Sequence, residues 1–447
     1  MKAYLPAKSL QLSGKEKPVQ EGNNSVTLIG TIPRRCVNLP SGTLRTLAQC
    51  IASNTVQEGA GIEEFHRRFG EWLGVPYVFG AFTGRSAFQL ALEALEMEKG
   101  KEIIFPYFTF PVIPLVAQML GYEAVFCGID PETFNSGAEH VAAKITGKTG
   151  AVVATHLFGQ PCPIQEIVEL CRKRNIRVLE DCAHTCGVRV DGQQVGTFGD
   201  IGVFSFAEGK NMPCFGGGAI ATRDEAIAGR ARTVLAKASM PAKKTILEKA
   251  FSVWAKWLLT RPLIFGLTAY PVLRLKLLLG QPLMDSAVGD ELLAEFSGSA
   301  PRVSRFANLQ AAIGLLQLQQ VDAFNAGARK NARILTEGLQ GVTGVGAPRS
   351  TKGDHIYVYY PLTVAPEKRD DLRRHLLSHG FDSKITDMSD CLALNAFRDS
   401  EGFHGKDRAL VEDSILEICV YPVVPEESIG RLARVIQDWV RVEARKK

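Results

Sequence analysis

Between residues 75 and 222, short apolar runs alternate with longer stretches in which apolar side chains recur roughly every three to four positions. The first pattern predicts strands buried on both faces; the second predicts helices with one buried stripe. Val78-Phe79 reads as a strand, and Ser86 to Met97 as a helix with Ala87, Leu90, Ala91, Ala94 and Leu95 on one side. Glu102 to Phe105 is the next strand, stopped by Pro106. Ala124 to Cys127 and Gly150 to Thr155 follow, then a helix from Ile164 to Arg174 and a strand from Ile176 to Asp181. Ile201 to Ser205 and Gly218 to Thr222 close the series. Short apolar strands separated by helices imply an α/β fold with a mostly parallel sheet covered on both faces. Ligands of such sheets bind beyond the carboxyl ends of the strands, where Gly84, Asp181 and Ser205 fall.

Outside this block the rhythm changes. Residues 61–72 read as a helix, and the polar runs at 14–18 and 21–25 as disordered. From 301 to 345 helical spacing returns. Beyond it, Ile356 to Tyr360 and Leu416 to Pro422 are expected strands of a compact α/β cap closed by a helix from Gly430 to Trp439. The chain thus divides into an N-terminal extension (1–30), a large domain (31–300) and a connecting helix with a small C-terminal domain (301–447).

Residues 237–280 fit neither pattern. Eight lysines and arginines there are opposed only by Glu248, and they are interleaved with Phe251, Trp254, Trp257, Tyr270 and many leucines. Pro262 and Pro271 punctuate the run. Two readings stay open: helices packed over the functional site or against a second subunit, and a membrane-surface element or mouth for a lipid-like substrate.

Composition narrows the class. Of 447 residues 46% are apolar and 22% charged, as in an ordinary globular protein, and the net charge of +5 is small for that length. Without zinc-finger spacing or a basic tail, nucleic acid is not expected as a partner. The first residues carry no sustained apolar stretch, and no window reaches eighteen uninterrupted apolar residues. Neither a signal peptide nor a spanning helix is therefore expected, and the location is expected to be cytoplasmic, with the 237–280 run as a candidate contact to the membrane's cytoplasmic face. The ten cysteines are scattered and expected as thiols. Cys182, His184 and Cys186 alternate along an extended segment but lack a second ligand pair nearby, so no metal is expected.

The chemistry gathers around Lys210. It follows Phe204-Ser205-Phe206 and precedes Gly216-Gly217-Gly218, a setting unlike that of a surface lysine. Asp181 ends a hydrophobic strand some thirty residues earlier. Pyridoxal phosphate needs an amine for its Schiff base and an anion to keep its ring nitrogen protonated, and these residues supply both. Thr83-Gly84-Arg85-Ser86 lies between strand and helix, so its backbone donors converge where a phosphate could bind, and Ser205 adds a hydroxyl. Phe110 could stack on the ring; His184 could stack or bond to the cofactor's phenolic oxygen. Glu180, on the other face of the strand, is expected to make a structural contact. These residues read as the site of a pyridoxal-phosphate aminotransferase.

In order along the chain, these motifs resemble the sugar aminotransferase family named after DegT, DnrJ, EryC1 and StrS, among the fold-type I pyridoxal-phosphate enzymes. The resemblance covers roughly residues 30–235 and 300–445. It rests on Thr83-Gly84-Arg85-Ser86-Ala87, Phe105-Pro106-Tyr107-Phe108-Thr109-Phe110, His156-Leu157-Phe158-Gly159-Gln160-Pro161 and Glu180-Asp181-Cys182-Ala183-His184. Val195 to Phe206, Lys210, the glycine run, Arg302-Val303-Ser304, Asn308 to Gly314 and His355-Ile356-Tyr357 complete it. The resemblance implies that Lys210 holds the cofactor, Asp181 pairs with its ring nitrogen, Phe110 and His184 flank the ring, and Gly84, Arg85 and Ser205 belong to the phosphate site. It also implies a homodimer that moves an amino group, typically from glutamate, to a nucleotide-linked keto-sugar. Some relatives carry histidine in place of the lysine and act as dehydratases, so Lys210 speaks for transamination. Three departures stand out: Arg85 where threonine or serine is common, Ala300 where many relatives have an asparagine reaching the neighbouring subunit's phosphate, and the long 237–280 run. The last gives weight to a hydrophobic or lipid-linked keto acceptor. A non-catalytic cofactor-binding regulator, and decarboxylation or lyase chemistry, are the remaining alternatives.

Overall fold

Residues 30–283, 289–294, 302–349, 353–400 and 408–446 are described by the structure, a computed structural model. The central sheet has seven strands: β1 (Tyr77–Ala81), β2 (Glu102–Pro106), β3 (Glu123–Cys127), β4 (Thr149–Thr155), β5 (Arg177–Asp181), β6 (Ile201–Ser205) and β7 (Gly218–Thr222). Their order is β1-β7-β6-β5-β4-β2-β3. Only β7 runs against its neighbours, so the mostly parallel sheet expected from the apolar runs is present. Ile103, Ile104, Val152, Val153 and Leu179 are almost wholly buried, as strands covered on both faces require. Asp181 pairs with Thr155 on one side and Val203 on the other, which brings the carboxyl ends of β4, β5 and β6 to one level.

The helix after β1, Gly84–Leu95, starts where Thr83 accepts the Ser86 N–H on its Oγ1 at 3.1 Å. Its buried face includes Ala87, Leu90, Ala91, Ala94 and Leu95, and the alanines let it approach the sheet closely. It stops two residues before the expected end, because Glu96 takes a left-handed conformation (φ 54°).

A second, antiparallel sheet consists of β8 (Val345–Gly346), β9 (Tyr360–Val364) and β10 (Ile415–Ile418), backed by helices Pro366–Ser378 and Glu426–Ala444. Tyr360, Leu362, Leu416, Leu432 and Ile436 form its separate core, which also takes Ile32 and Cys36 from near the start of the described chain. Both expected strands of this region are displaced. The run from Ile356 to Tyr360 enters the sheet only at Tyr360; before that, the Ile356 N–H donates to the Gly159 carbonyl at 2.9 Å and Tyr357 is left-handed (φ 49°). The run from Leu416 to Pro422 leaves the sheet after Ile418, and Tyr421 turns down toward the large sheet. Both segments are apolar because they are buried, Ile356, Val358 and Tyr359 in the core around the large sheet and Cys419, Val420 and Tyr421 in that of the small one, and apolar runs alone do not tell such burial from sheet pairing.

Residues 237–280 fold into helices Lys243–Leu259, Pro262–Leu267 and Ala269–Leu278. The first buries Ile246, Ala250 and Val253 against Val37, Phe215, Leu309 and Ile313. The other two are held by Phe265 and Tyr270, which pack on Leu377 of the Pro366–Ser378 helix.

Candidate active site

Beyond the ends of β4, β5 and β6 lies a cavity of about 370 Å³. The topology dictates its place: side chains following parallel strands converge at one edge of the sheet. Lys210 lies on the loop between β6 and β7, and that loop is tied at several points. The Phe206 N–H donates to Gly217 O at 2.9 Å, the Cys214 N–H to Phe206 O at 3.0 Å and the Lys210 N–H to Ala207 O at 3.0 Å. Asn211 Nδ2 donates to the Cys186 carbonyl at 2.7 Å and to Asn325 Oδ1 at 2.8 Å.

Asp181, the last residue of β5, faces the same cavity and accepts the Ala183 N–H at 3.0 Å. Burial pushes the Lys210 ammonium down to about 8, with Asp181 pulling the other way and the Arg35 cation adding to the depression. Burial also raises the Asp181 carboxyl, against the Ala183 N–H and the charge of Lys210. The lysine is therefore a poised nucleophile, and its amine is reactive far below the pH at which an exposed lysine deprotonates. His184 is held well below its usual range by burial and by the Lys210, Lys384 and Arg35 cations. Its Nδ1 accepts the Phe158 N–H at 3.2 Å, which leaves the proton of the neutral ring on Nε2.

One wall of the cavity is built for an anion. Gly84 opens a helix there, and a Cβ on Gly84 would lie 2.7 Å from Ser205 Oγ, so helix entrance and serine hydroxyl abut only because residue 84 has no side chain. Arg85 and Lys249 line the same wall. Lys249 comes from the Lys243–Leu259 helix, and its ammonium would lie 2.5 Å from a Cβ on Gly216. Phe110, partly buried, completes the lining among the expected residues. Ser86 alone of them stays out of the cavity: Thr83 takes its N–H, and its hydroxyl donates to the Arg302 carbonyl at 3.5 Å.

The opposite wall went unread in the sequence. Arg35 pairs with Asp387 at 3.2 Å; Lys384, buried, pairs with Asp387 and, at 3.4 Å, with Glu417. Both cations lie near the Tyr359 ring, at 5.7 Å for Arg35 and 5.5 Å for Lys384. Burial opposes ionisation of Asp387, yet Lys384 and Arg35 outweigh it and hold the carboxyl below its ordinary value. Glu208, beside the lysine loop, accepts from Lys256 at 2.7 Å and so links that loop to the Lys243–Leu259 helix. No local signal marks these residues, since they come from segments far apart in the chain. Ala300 lies outside the described residues.

Glu180 takes the structural place expected of it. Its carboxylate accepts the N–H groups of Gly196, Phe198 and Gly199, each at 2.7 Å, and meets His156 Nε2 at 3.2 Å. His156, Glu180 and Cys182 place potential metal-ligand atoms within 4.8 Å of one another. Both carboxylate oxygens are already engaged, however, and His156 Nδ1 accepts the Cys162 N–H at 3.1 Å.

The donor set fits pyridoxal phosphate: a depressed lysine, a buried carboxylate on the same cavity, and a helix entrance with a hydroxyl and two cations for the phosphate. The buried Thr155 hydroxyl, also on the cavity wall, has no hydrogen-bond partner among the described residues and is open to a ligand atom.

Comparisons with known proteins agree with this geometry. The chain is 30% identical over 329 residues to GDP-perosamine synthase of Escherichia coli O157:H7, covering 73% of this chain and 77% of that one. It is 27% identical over 365 residues to UDP-N-acetyl-3-dehydro-alpha-D-glucosamine 3-aminotransferase of Acidithiobacillus ferrooxidans, covering 81% and 84%. Among solved structures, the aminotransferase TlmJ of Streptoalloteichus hindustanus shares the fold with a TM-score of 0.73 at 23% identity, covering 92% of this chain and 100% of that one. Residues 40–256 and 289–439 match the model of the DegT/DnrJ/EryC1/StrS aminotransferase family. The chain belongs to that family and is a pyridoxal-phosphate-dependent aminotransferase.

Proposed function

We propose that the enzyme moves an amino group from glutamate to a nucleotide-linked keto-sugar, in two half-reactions of a ping-pong cycle. The observation that carries this reading is the pairing of the depressed Lys210 amine with an open cavity that has cations on both walls. The bound cofactor supplies the electron sink that makes a proton on the substrate's α-carbon acidic. Lys210 is the group placed to take and return that proton, and burial keeps its amine neutral enough to do so near pH 8. Asp181 would sustain positive charge on the cofactor's ring nitrogen, and neutral His184 would present its Nε2 proton to an acceptor atom. Arg35, on the cavity wall, would offer charge to the carboxylate of an amino donor or the phosphates of an acceptor. Support for the sugar class comes from the relatives, one named for GDP-perosamine and one for a UDP-linked dehydro-glucosamine.

A hydrophobic or lipid-linked keto acceptor is a second reading. It draws on one observation: the Lys243–Leu259 helix lays Val253 on the cavity wall and leads directly into exposed leucines. The working unit is proposed as a homodimer, as the resemblance implies, and its location as the cytoplasm.

The test is stoichiometric. Holoenzyme mixed with glutamate and no acceptor should release about one 2-oxoglutarate per site, and a UDP- or GDP-linked keto-sugar should then be aminated. Glutamate that yields no 2-oxoglutarate rejects the donor. Release of carbon dioxide or loss of water from the sugar rejects transamination.

A further inference from the structure

Eleven large apolar side chains are exposed among the described residues, and six of them crowd onto two short helices. Leu263 and Leu267 on Pro262–Leu267, with Val272, Leu275, Leu278 and Leu279 on or just beyond Ala269–Leu278, are each between 56% and 73% exposed. Solvent-facing leucines at this density are unusual for a protein surface. The helices are not loosely attached. Phe265 and Tyr270 bury their rings against Leu377, Tyr270 Oη donates to the Leu377 carbonyl at 3.2 Å, and Thr31 Oγ1 donates to the Pro262 carbonyl at 3.2 Å. One face is fixed to the small domain, and the other presents leucine to solvent.

Charge tells what this face suits. From Lys249 to Leu283 the chain has no aspartate or glutamate, while Arg261, Arg274 and Lys276 flank or interleave the leucines. Apolar residues set among cations without a single carboxylate match a layer of anionic headgroups over acyl chains. Neither helix can cross such a layer: their 6 and 10 residues are far short of the roughly 20 a span requires. The family match skips residues 257–288, so both helices lie outside the residues matched to the shared catalytic fold.

We propose that this pair of helices is a monotopic anchor, seating the enzyme on a membrane surface rich in anionic phospholipid. The anchor continues from the helix that carries Lys249 and Val253 to the cavity, so membrane contact would fix how the cavity faces the lipid.

Flotation with vesicles tests the proposal. Full-length holoenzyme is mixed with vesicles of phosphatidylglycerol and phosphatidylcholine, or of phosphatidylcholine alone. The wild type should float with the anionic vesicles. The triple variant Leu263→Ser, Leu275→Ser, Leu278→Ser should lose that binding by about tenfold or more while keeping its activity in solution. Arg274→Gln with Lys276→Gln should weaken binding to anionic vesicles and leave binding to neutral ones unaltered. The anchor is rejected if the wild type does not float, or if the triple variant floats equally well. A fall in molar mass by light scattering in the triple variant, with no flotation by the wild type, would assign the face to a second copy of the chain.

Discussion

Tyr359 and Tyr421 donate their hydroxyls to one and the same acceptor, the Gly209 carbonyl, at 3.1 and 3.0 Å. Tyr359 immediately precedes β9 and Tyr421 follows β10, and the acceptor immediately precedes Lys210, so the small domain holds the lysine loop by a doubly used oxygen. A shared acceptor makes the two bonds redundant. Tyr359→Phe or Tyr421→Phe alone should cost less than about 1 kcal/mol, because the carbonyl keeps a partner. The double variant leaves a buried carbonyl bare and should cost on the order of 2–3 kcal/mol, more than the sum of the singles. Urea denaturation of the four proteins measures the difference, and simple additivity would contradict the redundancy.

Lys210→Ala should abolish covalent capture of pyridoxal phosphate. Borohydride reduction followed by peptide mapping should find the adduct on Lys210 in the wild type and on no single lysine in the variant. With the amine depressed to about 8, capture by the apoprotein should speed up as pH rises and level off above about 8. Below that point the rate should fall about tenfold per pH unit, as the reactive neutral amine becomes scarce. A plateau reached only near the ordinary lysine value would show that burial does not set the reactivity.

The same depression acts on stability in the apoprotein. Lys210 has a folded value of about 8 against an ordinary 10.5, so between those limits the unfolded chain binds more protons and stability rises with pH. Below about pH 8 the buried cation costs the fold its full penalty, at most on the order of 3 kcal/mol. Lys210→Met should therefore stabilise the apoprotein at pH 7 by about 1–3 kcal/mol and flatten the rise above pH 8. Thermal melts of cofactor-free protein at pH 7 and pH 10 would reveal it.

Glu180 should matter to folding far more than its distance from the chemistry implies. Glu180→Ala strands the Gly196, Phe198 and Gly199 donors and one His156 nitrogen in the interior. The expected loss is on the order of 3–5 kcal/mol, read by denaturant titration. A loss below about 1 kcal/mol would mean that solvent replaces the carboxylate.

Gly84→Ala brings a methyl group to 2.7 Å from Ser205 Oγ and 2.9 Å from Ser205 Cβ. If this contact forms the phosphate end, affinity of the apoprotein for pyridoxal phosphate should drop by about tenfold or more, while affinity for pyridoxal, which lacks the phosphate, should hold steady. An equal loss for both ligands would place the damage elsewhere in the fold.

The cofactor-facing residues were legible in the chain because they depend on local order. A strand's apolar run shows where it ends, and parallel strands all end on the same side, so Gly84, Asp181 and Ser205 could be assigned to one edge before any contact was known. Alternation along β5 separated Asp181 from Glu180 by the same logic, one facing the cavity and the other the turn at 196–199. Tertiary structure alone brought Arg35, Lys249, Tyr359 and Asp387 to the cavity, because each lies in a segment whose own pattern is satisfied without it. It also sorted the 237–280 run, in which 33 of 44 positions are apolar or basic. There Ile246 is buried and Leu278 is 73% exposed, and no periodicity separates them, since an apolar side chain's burial is decided by what packs against it. Helix and strand follow from the spacing of side chains along the chain; which faces meet is set by the energy of contacts between segments distant in sequence.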